Sequence, residues 1–492
     1  MQILWYTERA CTVQSFFFER KNTMKLKYKR VIFVGMAFFL ISAFWQAYDA
    51  IVPIALAKHY GLSETASGAV MSLDNILAVF MLPFFGALSD KMNTRFGKRT
   101  PFVLIGSVIA MVSFVALTLV DNHQIAKVVA AGISEIKIPE NDEAAAEAVR
   151  KLTVELTIAN PWPFIGFMAT LLVVLVAMAT FRSPAVALMP DVTVKPLRSK
   201  ANAIINLTGT AGGILVLVLG MVFGTSTNSY MQYTGYALAV VAVMLIGLIV
   251  FLFFVKEKKW AEEMEADTRR LGLEDAPEEE IDNTQKRKLS KAEFVSLLLI
   301  LASVALWYVG YNSITSKYSR YVIDYLPGFD YNFTLIIAQA AAIVSYIPVG
   351  IIASKIGRRK TILAGVLILA TAFFIGHFIT LDIPQGIMYS VFALAGIGWA
   401  TINVNSFPMV VELAKGGDIG KYTGYYYTAS MSAQIVAPIL SGYLYDLIGM
   451  RRVFFAFGTI FVLFSFVTMF FVKHGDSKEI VKKDLLEQLD VD

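Results

Sequence analysis

Cysteine, histidine and charged residues are scarce in this chain of 492 residues. The single cysteine, Cys11, excludes an intrachain disulfide framework, and four scattered histidines give no zinc-site spacing. Charged residues make up 16%, whereas a typical soluble domain carries roughly a quarter. The chain also lacks a phosphate-cradling glycine loop and a G-x-S-x-G nucleophile motif. These absences predict that the protein is not an enzyme and that it holds no cofactor and no metal.

Apolar residues are abundant instead. They make up 57% of the chain, and the mean hydropathy is +0.61. From residue 31 onward, runs of about 20 apolar residues recur, each long enough to cross the hydrocarbon core of a bilayer. They predict spans at 31–54, 65–86, 101–120, 163–181, 201–224, 233–255, 294–315, 334–356, 361–381, 385–408, 422–445 and 453–472. The sequence therefore predicts an all-α membrane protein with twelve transmembrane helices in two six-helix bundles.

Positive charge marks one side of this topology. The net charge of +5 is concentrated in the loops after the second, fourth, eighth and tenth spans, which carry Lys91, Arg95, Lys98, Arg99, Lys195, Arg198, Lys200, Lys355, Arg358, Arg359, Lys360, Lys415 and Lys421. Short basic loops remain on the cytoplasmic side, so both termini are predicted inside the cell, with the protein in the plasma membrane. The charges lie in separate loops, which argues against nucleic-acid binding.

Two long connections complete the predicted organisation. One, at 121–161, is placed outside and contains an alanine-rich stretch that predicts a surface helix. The other joins the two halves inside, and its charged segments predict a partly helical linker. The predicted division is a cytoplasmic amino-terminal segment 1–30, a first bundle 31–255, a linker 256–293, a second bundle 294–472 and a cytoplasmic tail 473–492.

The loop at 86–101, GALSDKMNTRFGKRTP, concentrates several features. Gly86 permits a close helix approach and Gly97 a tight turn. Asp90, at a helix end, can hold a cationic side chain or a helix N-terminus as a breakable latch. A degenerate copy, GIIASKIGRRK, occupies 350–360, which indicates two related halves. Ser354 stands there where a carboxylate is expected, so the second latch is predicted to be weaker.

This loop resembles the signature of the major facilitator superfamily. Its expanded spacing, SDKMNTRFGKRTPF, is similar to the glycoside–pentoside–hexuronide cation symporter group, nearer its sucrose-transporter relatives. A second segment, RSPAVALMPDVTVKPLRSKANAI, resembles the same relatives, with Asp191, Arg198, Ala201 and Asn202 at the matching positions; the second-half counterpart offers Glu412 and Lys421. The resemblance implies the pseudo-symmetric major facilitator fold and secondary transport by alternating access.

The motifs place a gate on the cytoplasmic side, made of Gly86, Asp90, Arg95, Gly97, Lys98, Arg99, Asp191, Arg198, Arg358 and Glu412. In the melibiose-transporting branch, sodium-binding carboxylates precede the proline of the second helix. Here Leu82 precedes Pro83, so the same sodium site is not expected.

Ionisable residues inside spans are costly, which makes them functional candidates. Asp49 is predicted near the outer end of the first span, and Asp74 about 12 Å deep in the second. Two neighbouring carboxylates, or one in an apolar cavity, favour binding of a proton, so both are candidates for proton coupling. The alternative is that each lines the outer vestibule or bonds a neighbouring helix. Arg182, near the inner end of the fourth span, is expected to snorkel to the inner surface or to serve an inner gate.

Sugars need aromatic faces for stacking and amides or hydroxyls for hydrogen bonds. Candidates on predicted spans are Trp45, Gln46, Tyr48, Asn75, Tyr308, Tyr311, Asn312, Gln339, Trp399, Asn403 and Gln434. Helix–helix contacts and interfacial aromatics are the alternative explanation for them.

The sequence thus favours proton-coupled symport of a glycoside or other small sugar across a lipid bilayer. Two alternatives remain open at this point. One is a sodium-coupled or facilitative carrier of a different small solute. The other is a membrane sensor that keeps the fold without transport.

Overall fold

The computed structural model describes residues 26–136, 143–194, 197–270, 290–411, 413 and 419–475. Within these residues the fold is helical, with one isolated β-bridge between Thr94 and Gly97. The first 25 residues, the tail beyond residue 475 and the predicted gate residue Glu412 lie outside the described residues.

The helices are α1 Tyr28–Ile54, α2 Glu64–Met71, α3 Leu73–Lys91, α4 Thr100–Ala130, α5 Glu143–Ala159, α6 Trp162–Asp191, α7 Arg198–Phe223, α8 Thr234–Phe254, α9 Glu257–Arg270, α10 Lys291–Thr315, α11 Tyr318–Tyr325, α12 Tyr331–Ile356, α13 Arg358–Gly376, α14 Gln385–Val411, α15 Ile419–Ile448 and α16 Met450–Phe470. Each predicted span coincides with one long helix, except the second, which consists of α2 and α3. Among the described residues, ten of these stretches are long and apolar enough to cross a membrane. The remaining two spans are α12 and α15, of 26 and 30 residues.

Several helices are longer than the sequence predicts. A π-helical turn, Ala55–His59, continues α1, while α4 runs to Ala130 and α6 to Asp191. The predicted spans ended at residues 54, 120 and 181 because hydropathy falls there. A helix does not end where its surroundings become polar, since its backbone hydrogen bonds are internal. The extension of α1 places Asp49 deeper in the bundle than the sequence suggests.

The two bundles repeat the same packing pattern. In the first, α1 packs along α7 and α8, α4 along α6 and α8, and α3 along α6. In the second, α10 packs along α15 and α16, α13 along α14 and α16, and α12 along α14. These contacts correspond pair by pair, which is the pseudo-symmetry that the repeated loop indicates. The halves meet where α2 packs on α15 and α7 on α12.

The two surface helices predicted from charge and alanine content are confirmed as α5 and α9. They mark the two ends of the bundle. We call the end that carries α9 and residues 86–101 the basic-loop end, and the end that carries α5 and α11 the opposite end. At the basic-loop end α9 lies against the first bundle, where Trp260 is buried and the guanidinium of Arg30 lies 5.2 Å from the centre of its ring.

Candidate functional site

A cavity of about 440 Å³ lies between the two bundles. Its walls come from α1 and α7 of the first bundle and from α10, α11, α12, α13 and α14 on the other side. The polar and aromatic side chains that line it include Ser42, Trp45, Gln46, Asp49, Thr210, Tyr311, Ser319, Gln339, Tyr346 and Trp399. The cavity therefore brings together, from both halves, the residue types that bind polar organic solutes.

Aromatic rings form much of the second bundle's wall. The ring centres of Tyr311 and Trp399 lie 6.1 Å apart at an interplanar angle of 30°, and Tyr346 meets Trp399 edge-on at 6.4 Å. Trp45 stands in the first bundle's wall, held by an edge contact with Tyr48 at 5.3 Å. The indole N–H of Trp45 has no hydrogen-bond acceptor among the described residues. The cavity thus offers flat apolar faces from both halves.

An amide pair bridges the halves in the cavity. Gln339 Nε2 donates to Gln46 Oε1 at 2.8 Å. Gly213 lies beside this pair, and a Cβ atom there would be in ordinary contact with it, 3.4 Å from Gln339 Oε1 and 3.7 Å from Gln46 Oε1. Each amide keeps further donors and acceptors that a solute with hydroxyl groups can use. A ligand here therefore contacts both halves at once.

Two carboxylates, Asp49 and Asp74, lie at matching depth along their helices, and Asp49 lines the cavity. Asp49 is ten residues from the end of its helical stretch at His59, and Asp74 is ten residues from the start of its span at Glu64. At 1.5 Å per residue, each lies about 15 Å from the opposite end. Asp49 is exposed to the cavity although it is deep in the bundle.

Asp74 occupies a break in its span. The break falls at Ser72, whose hydroxyl donates to the Ile435 carbonyl of the second bundle at 2.9 Å. Asp74 then lies in the first turn of α3, where a helix N-terminus favours negative charge. Asn75 Nδ2 donates to its Oδ1 at 2.8 Å. The helix break, the amide and the interface with the second bundle all hold this carboxylate in place.

Arg182 is directed into the bundle and does not snorkel to the surface; the other expected role, in an inner gate, stays a prediction. Its guanidinium lies 5.8 Å from the centre of the Trp45 ring. The predicted span ended one residue before Arg182, whereas α6 continues for nine residues beyond it. The arginine is therefore too far from the helix end to reach the surface easily.

Of the predicted coupling and substrate residues, Trp45, Gln46, Asp49, Tyr311, Gln339 and Trp399 line the cavity. The remaining ones, Tyr48, Asp74, Asn75, Tyr308, Asn312, Asn403 and Gln434, do not. Asn312 donates to the Tyr308 carbonyl and Gln434 to the Ser430 carbonyl, so both amides are engaged within their own helices. Tyr346 was missed. Its spacing of seven residues from Gln339 places the two on one helix face and is the signal that could have revealed it.

At the opposite end, a charged network joins the halves. Lys317 Nζ lies 3.0 Å from Glu64 Oε2 and donates to the Glu64 carbonyl at 2.6 Å. Asp446 accepts hydrogen bonds from the backbone N–H groups of Glu64 and Thr65, each at 2.8 Å. Burial lowers the pKa of Lys317 although Glu64 opposes this shift. Lys58 pairs with Asp324 at 2.7 Å in the same region. None of the loop motifs predicts this network.

Close backbone packing accompanies these charges. A Cβ atom added at Gly68 would lie 2.0 Å from the Pro438 carbonyl oxygen, and one at Gly442 2.3 Å from that of Glu64. Small residues at both positions therefore let α2 and α15 touch. Nearby, Tyr331 donates to Thr225 Oγ1 at 2.7 Å, which links α12 to the segment after α7. The two halves are therefore in direct contact at this end.

At the basic-loop end, charges bind within the first bundle. Arg99 is 7% exposed at its side chain and pairs with Asp90 at 2.5 Å and with Asp191 at 2.8 Å. Burial alone would lower the pKa of Arg99, but the carboxylates of Asp191 and Asp90 raise it above its ordinary value. Its guanidinium also donates to Ser89 Oγ and to the Gly86 carbonyl. Asp90 thus holds a cation, as the loop sequence suggests. That cation, Arg99, joins the start of α4 to α3 and α6.

Glu257, which the sequence analysis overlooked, caps α4. Its carboxylate accepts from the backbone N–H groups of Lys98, Arg99 and Thr100 at 2.5, 2.8 and 2.7 Å, and from Thr100 Oγ1 at 2.7 Å. It is 3% exposed. Gly97 has φ +118°, and a Cβ atom there would lie 2.2 Å from the Glu257 carboxyl carbon. The glycine is therefore required both for the turn and for the approach of the linker.

The other predicted gate residues have separate positions. Arg198 donates to the carbonyls of Pro190 and Thr193, which terminate α6. The exposed side chain of Arg95 lies over the ring of Phe96. Arg358 begins α13. In the second loop copy, Arg359 donates to the Phe470 carbonyl at the end of α16, so this copy uses a helix C-terminus where the first uses carboxylates.

Two pseudo-symmetric helical bundles around a central cavity are an architecture that membrane transporters use. A model of the Major Facilitator Superfamily matches residues 34–337 and 325–488. The chain therefore belongs to the major facilitator superfamily and is a transporter, not an enzyme.

Solved structures share this fold at low sequence identity. The inward open conformation of the xylose transporter XylE from E. coli matches with a TM-score of 0.60 and 14% identity, covering 94% of this chain and 99% of that one. A D-xylose-proton symporter gives 0.59 and 14%, covering 91% and 98%. A POT family transporter in complex with 5-aminolevulinic acid gives 0.59 and 11%, covering 89% and 96%. No curated protein matches the chain.

Proposed function

We propose that this protein is a secondary active transporter that carries a glycoside or other small sugar together with a proton. The observation that carries the proposal is the cavity between the bundles, where aromatic faces and amides from both halves surround the exposed carboxylate of Asp49. The loop motifs of the glycoside–pentoside–hexuronide group support the sugar, as does a similar fold in a D-xylose-proton symporter. Leu82 before Pro83 supports the proton over sodium.

In this proposal Trp45, Tyr311 and Trp399 stack on the sugar ring, and Gln46 and Gln339 bind its hydroxyls. Because the two glutamines come from different halves, a sugar that replaces their mutual hydrogen bond favours a state in which both halves close on it. Occupancy of the cavity thereby becomes coupled to the rocking of the bundles.

Asp49 and Asp74 divide the coupling between them. Asp49 faces the cavity and takes up the proton beside the solute. Asp74 lies at the interface with the second bundle, two residues after Ser72, whose hydroxyl donates to the Ile435 carbonyl, so its charge responds to the position of α15. We further propose that the basic-loop end is cytoplasmic, in the plasma membrane, with both termini inside. The structure then corresponds to a state closed on the outside.

Uptake by proteoliposomes tests the function. Purified protein is reconstituted, and accumulation of radiolabelled sucrose and xylose is measured under an imposed inward proton gradient, then under an equal sodium gradient. We expect accumulation that follows the proton gradient and collapses with a protonophore. Uptake that follows sodium, or a thermal-shift screen in which only non-sugar solutes bind, contradicts the proposal.

Substitution of the carboxylates tests the coupling. Asp49→Asn removes the titratable group but keeps the shape of the side chain, so we expect loss of gradient-driven accumulation with exchange of sugar across the membrane retained. Asp382→Asn, an exposed carboxylate in the loop before α14, is the matched control and leaves accumulation unchanged. If Asp74→Asn preserves full accumulation, the coupling role of Asp74 is wrong.

A further inference from the structure

A second and larger cavity, of about 820 Å³, opens on the side of the first bundle at the basic-loop end. It lies where α4 begins, α8 ends and the linker helix α9 starts, so it is located at the boundary between the membrane core and the adjoining aqueous phase. None of the residues that line the cavity between the bundles lines this second cavity. Its volume falls within the range of small-molecule sites, about 300–1,000 Å³.

The membrane side of this groove is apolar and open. Leu104 and Ile105 on α4 and Leu252 and Phe253 on α8 line it, with exposed fractions of 37%, 55%, 38% and 77%. Such residues on the outside of a membrane bundle face lipid chains. Pro101 and Phe96 continue the apolar surface toward the loop. The lower part of the groove therefore suits acyl chains.

The aqueous side is strongly basic. Arg95, Lys256, Lys258 and Lys259 line it, and all four side chains are exposed. None of the four forms an ion pair with a described carboxylate closer than 4 Å. The carboxylate of Glu257 is also in the lining, but four donors at the start of α4 engage it, and Glu262 is an exposed acid at the rim. An anion in the groove thus meets four cations and one solvated carboxylate.

We propose that this groove binds one anionic phospholipid of the adjoining leaflet. The phosphate lies among Arg95 and the three lysines of the linker, and the acyl chains run down between α4 and α8. Charge complementarity selects an anionic head group over a zwitterionic one, because each lysine near the bilayer surface contributes on the order of fivefold to binding of an anionic lipid. Because the groove holds both the phosphate and the acyl chains of one lipid, this binding differs from a diffuse attraction of basic residues to an anionic leaflet.

The position of the groove gives the lipid a structural role. Its cations come from the loop before α4 and from the start of the linker, Lys256 and the first turn of α9, which are the two segments that Glu257 joins. A bound phospholipid therefore braces the linker against the first bundle, in parallel with the Glu257 cap.

Native mass spectrometry of the full-length protein tests this proposal. Protein in detergent is titrated with phosphatidylglycerol or with phosphatidylcholine of identical chains, and the lipid-bound fraction is measured. We expect phosphatidylglycerol to bind at least tenfold more tightly than phosphatidylcholine. We also expect the parent protein to bind one more copy of phosphatidylglycerol than the groove variant, Lys256→Gln/Lys258→Gln/Lys259→Gln. The corresponding Lys→Arg triple variant keeps the charge and retains the lipid.

The matched control removes three exposed lysines at the same end but outside the groove, Lys29→Gln/Lys355→Gln/Lys360→Gln. It carries the same net charge as the groove variant, so we expect its retained lipid to stay within twofold of the parent protein. Thermal unfolding verifies that all variants are folded, and phosphatidylglycerol raises the midpoint of the parent and the control but not of the groove variant. Equal loss in both glutamine variants, or equal binding of phosphatidylcholine, overturns the proposal. Neither result depends on what the protein transports.

Discussion

At the opposite end, Lys317 and Asp446 of the second bundle bind Glu64 of the first, whereas at the basic-loop end Arg99 binds Asp90 and Asp191, all within the first bundle. The first arrangement must break when the halves separate. The second can persist while the bundle moves as a unit. Charges at the two ends therefore do different work: one set fixes the conformational state, and the other keeps one bundle rigid.

The same contrast extends to backbone packing. At the opposite end, Gly68 and Gly442 allow direct contact between the two bundles. At the basic-loop end, Gly97 allows the linker to approach the first bundle. A closed opposite end thus rests on ion pairs and close contact between halves. We expect substitutions there to change the conformational equilibrium, and substitutions at the basic-loop end to change the speed of cycling or the stability of one bundle.

The largest effect is expected for Lys317→Met. The side chain of Lys317 is 1% exposed and that of Glu64 15%, and removal of one partner of such a pair costs about 3 kcal/mol in the closed state. In a background with Cys11→Ser and Ser319→Cys, labelling of the cavity by a membrane-impermeant maleimide from the opposite side should rise on the order of 100-fold. Lys151→Met, an exposed lysine on α5, is the control. An unchanged labelling rate would show that the ion pair does not hold this end closed.

Gly68→Val should act in the same direction by steric means. Its Cβ meets the Pro438 carbonyl, and overpacking of this kind costs about 1–3 kcal/mol. Labelling of the same cysteine should rise on the order of tenfold, and transport should fall because the closed state is required in each cycle. Gly386→Val, at the same end, has open space around it and should behave like the parent. An equal fall in transport in both variants would contradict a specific role of Gly68 in the contact between the bundles.

Asp90→Ala tests the contrast from the basic-loop end. The side chain of Asp90 is 62% exposed, so its pair with Arg99 contributes at most about 1 kcal/mol. Turnover should fall roughly two- to fivefold, while the dissociation constant for sugar, measured by thermal shift or calorimetry, should change less than twofold. Asp90→Asn keeps an acceptor for Arg99 and should be intermediate. A selective loss of affinity would contradict a latch.

Arg359→Ala should have the smallest effect. This residue of the second loop copy donates to the carbonyl of Phe470 at a helix end, an interaction of about 0.3–1 kcal/mol. We expect turnover within twofold of the parent and a thermal midpoint lowered by a few degrees at most. A loss as large as that of Asp90→Ala would mean that both copies act as latches of equal strength.

Much of the architecture follows from local sequence. A run of about 20 apolar residues becomes a spanning helix wherever it occurs, because the bilayer leaves the backbone no other way to satisfy its hydrogen bonds. The surface helices α5 and α9 and the approach of a cation to Asp90 follow equally from local composition and loop spacing. Helix ends were less predictable, as α1 and α6 show, since hydropathy reports the membrane boundary and not the end of a helix.

The cavity was only partly predictable. Trp45, Gln46, Tyr311, Gln339 and Trp399 are large or polar residues in apolar surroundings, and that signal is local. It does not say which face of a helix meets the other bundle, because lipid and protein interior are equally apolar. Asn312 and Gln434 carry the same signal but bond within their own helices. Their exclusion from the cavity is a consequence of helix rotation.

Composition, hydropathy and the repeated loop are enough to predict an all-helical membrane protein with two related halves and basic loops at one end. Tertiary structure alone decided which charges cross between the halves. Glu64 and Lys317 are 253 residues apart in the sequence and belong to different bundles, so no local pattern relates them. Their pairing depends on how the bundles dock, and it is this docking that changes when a transporter cycles.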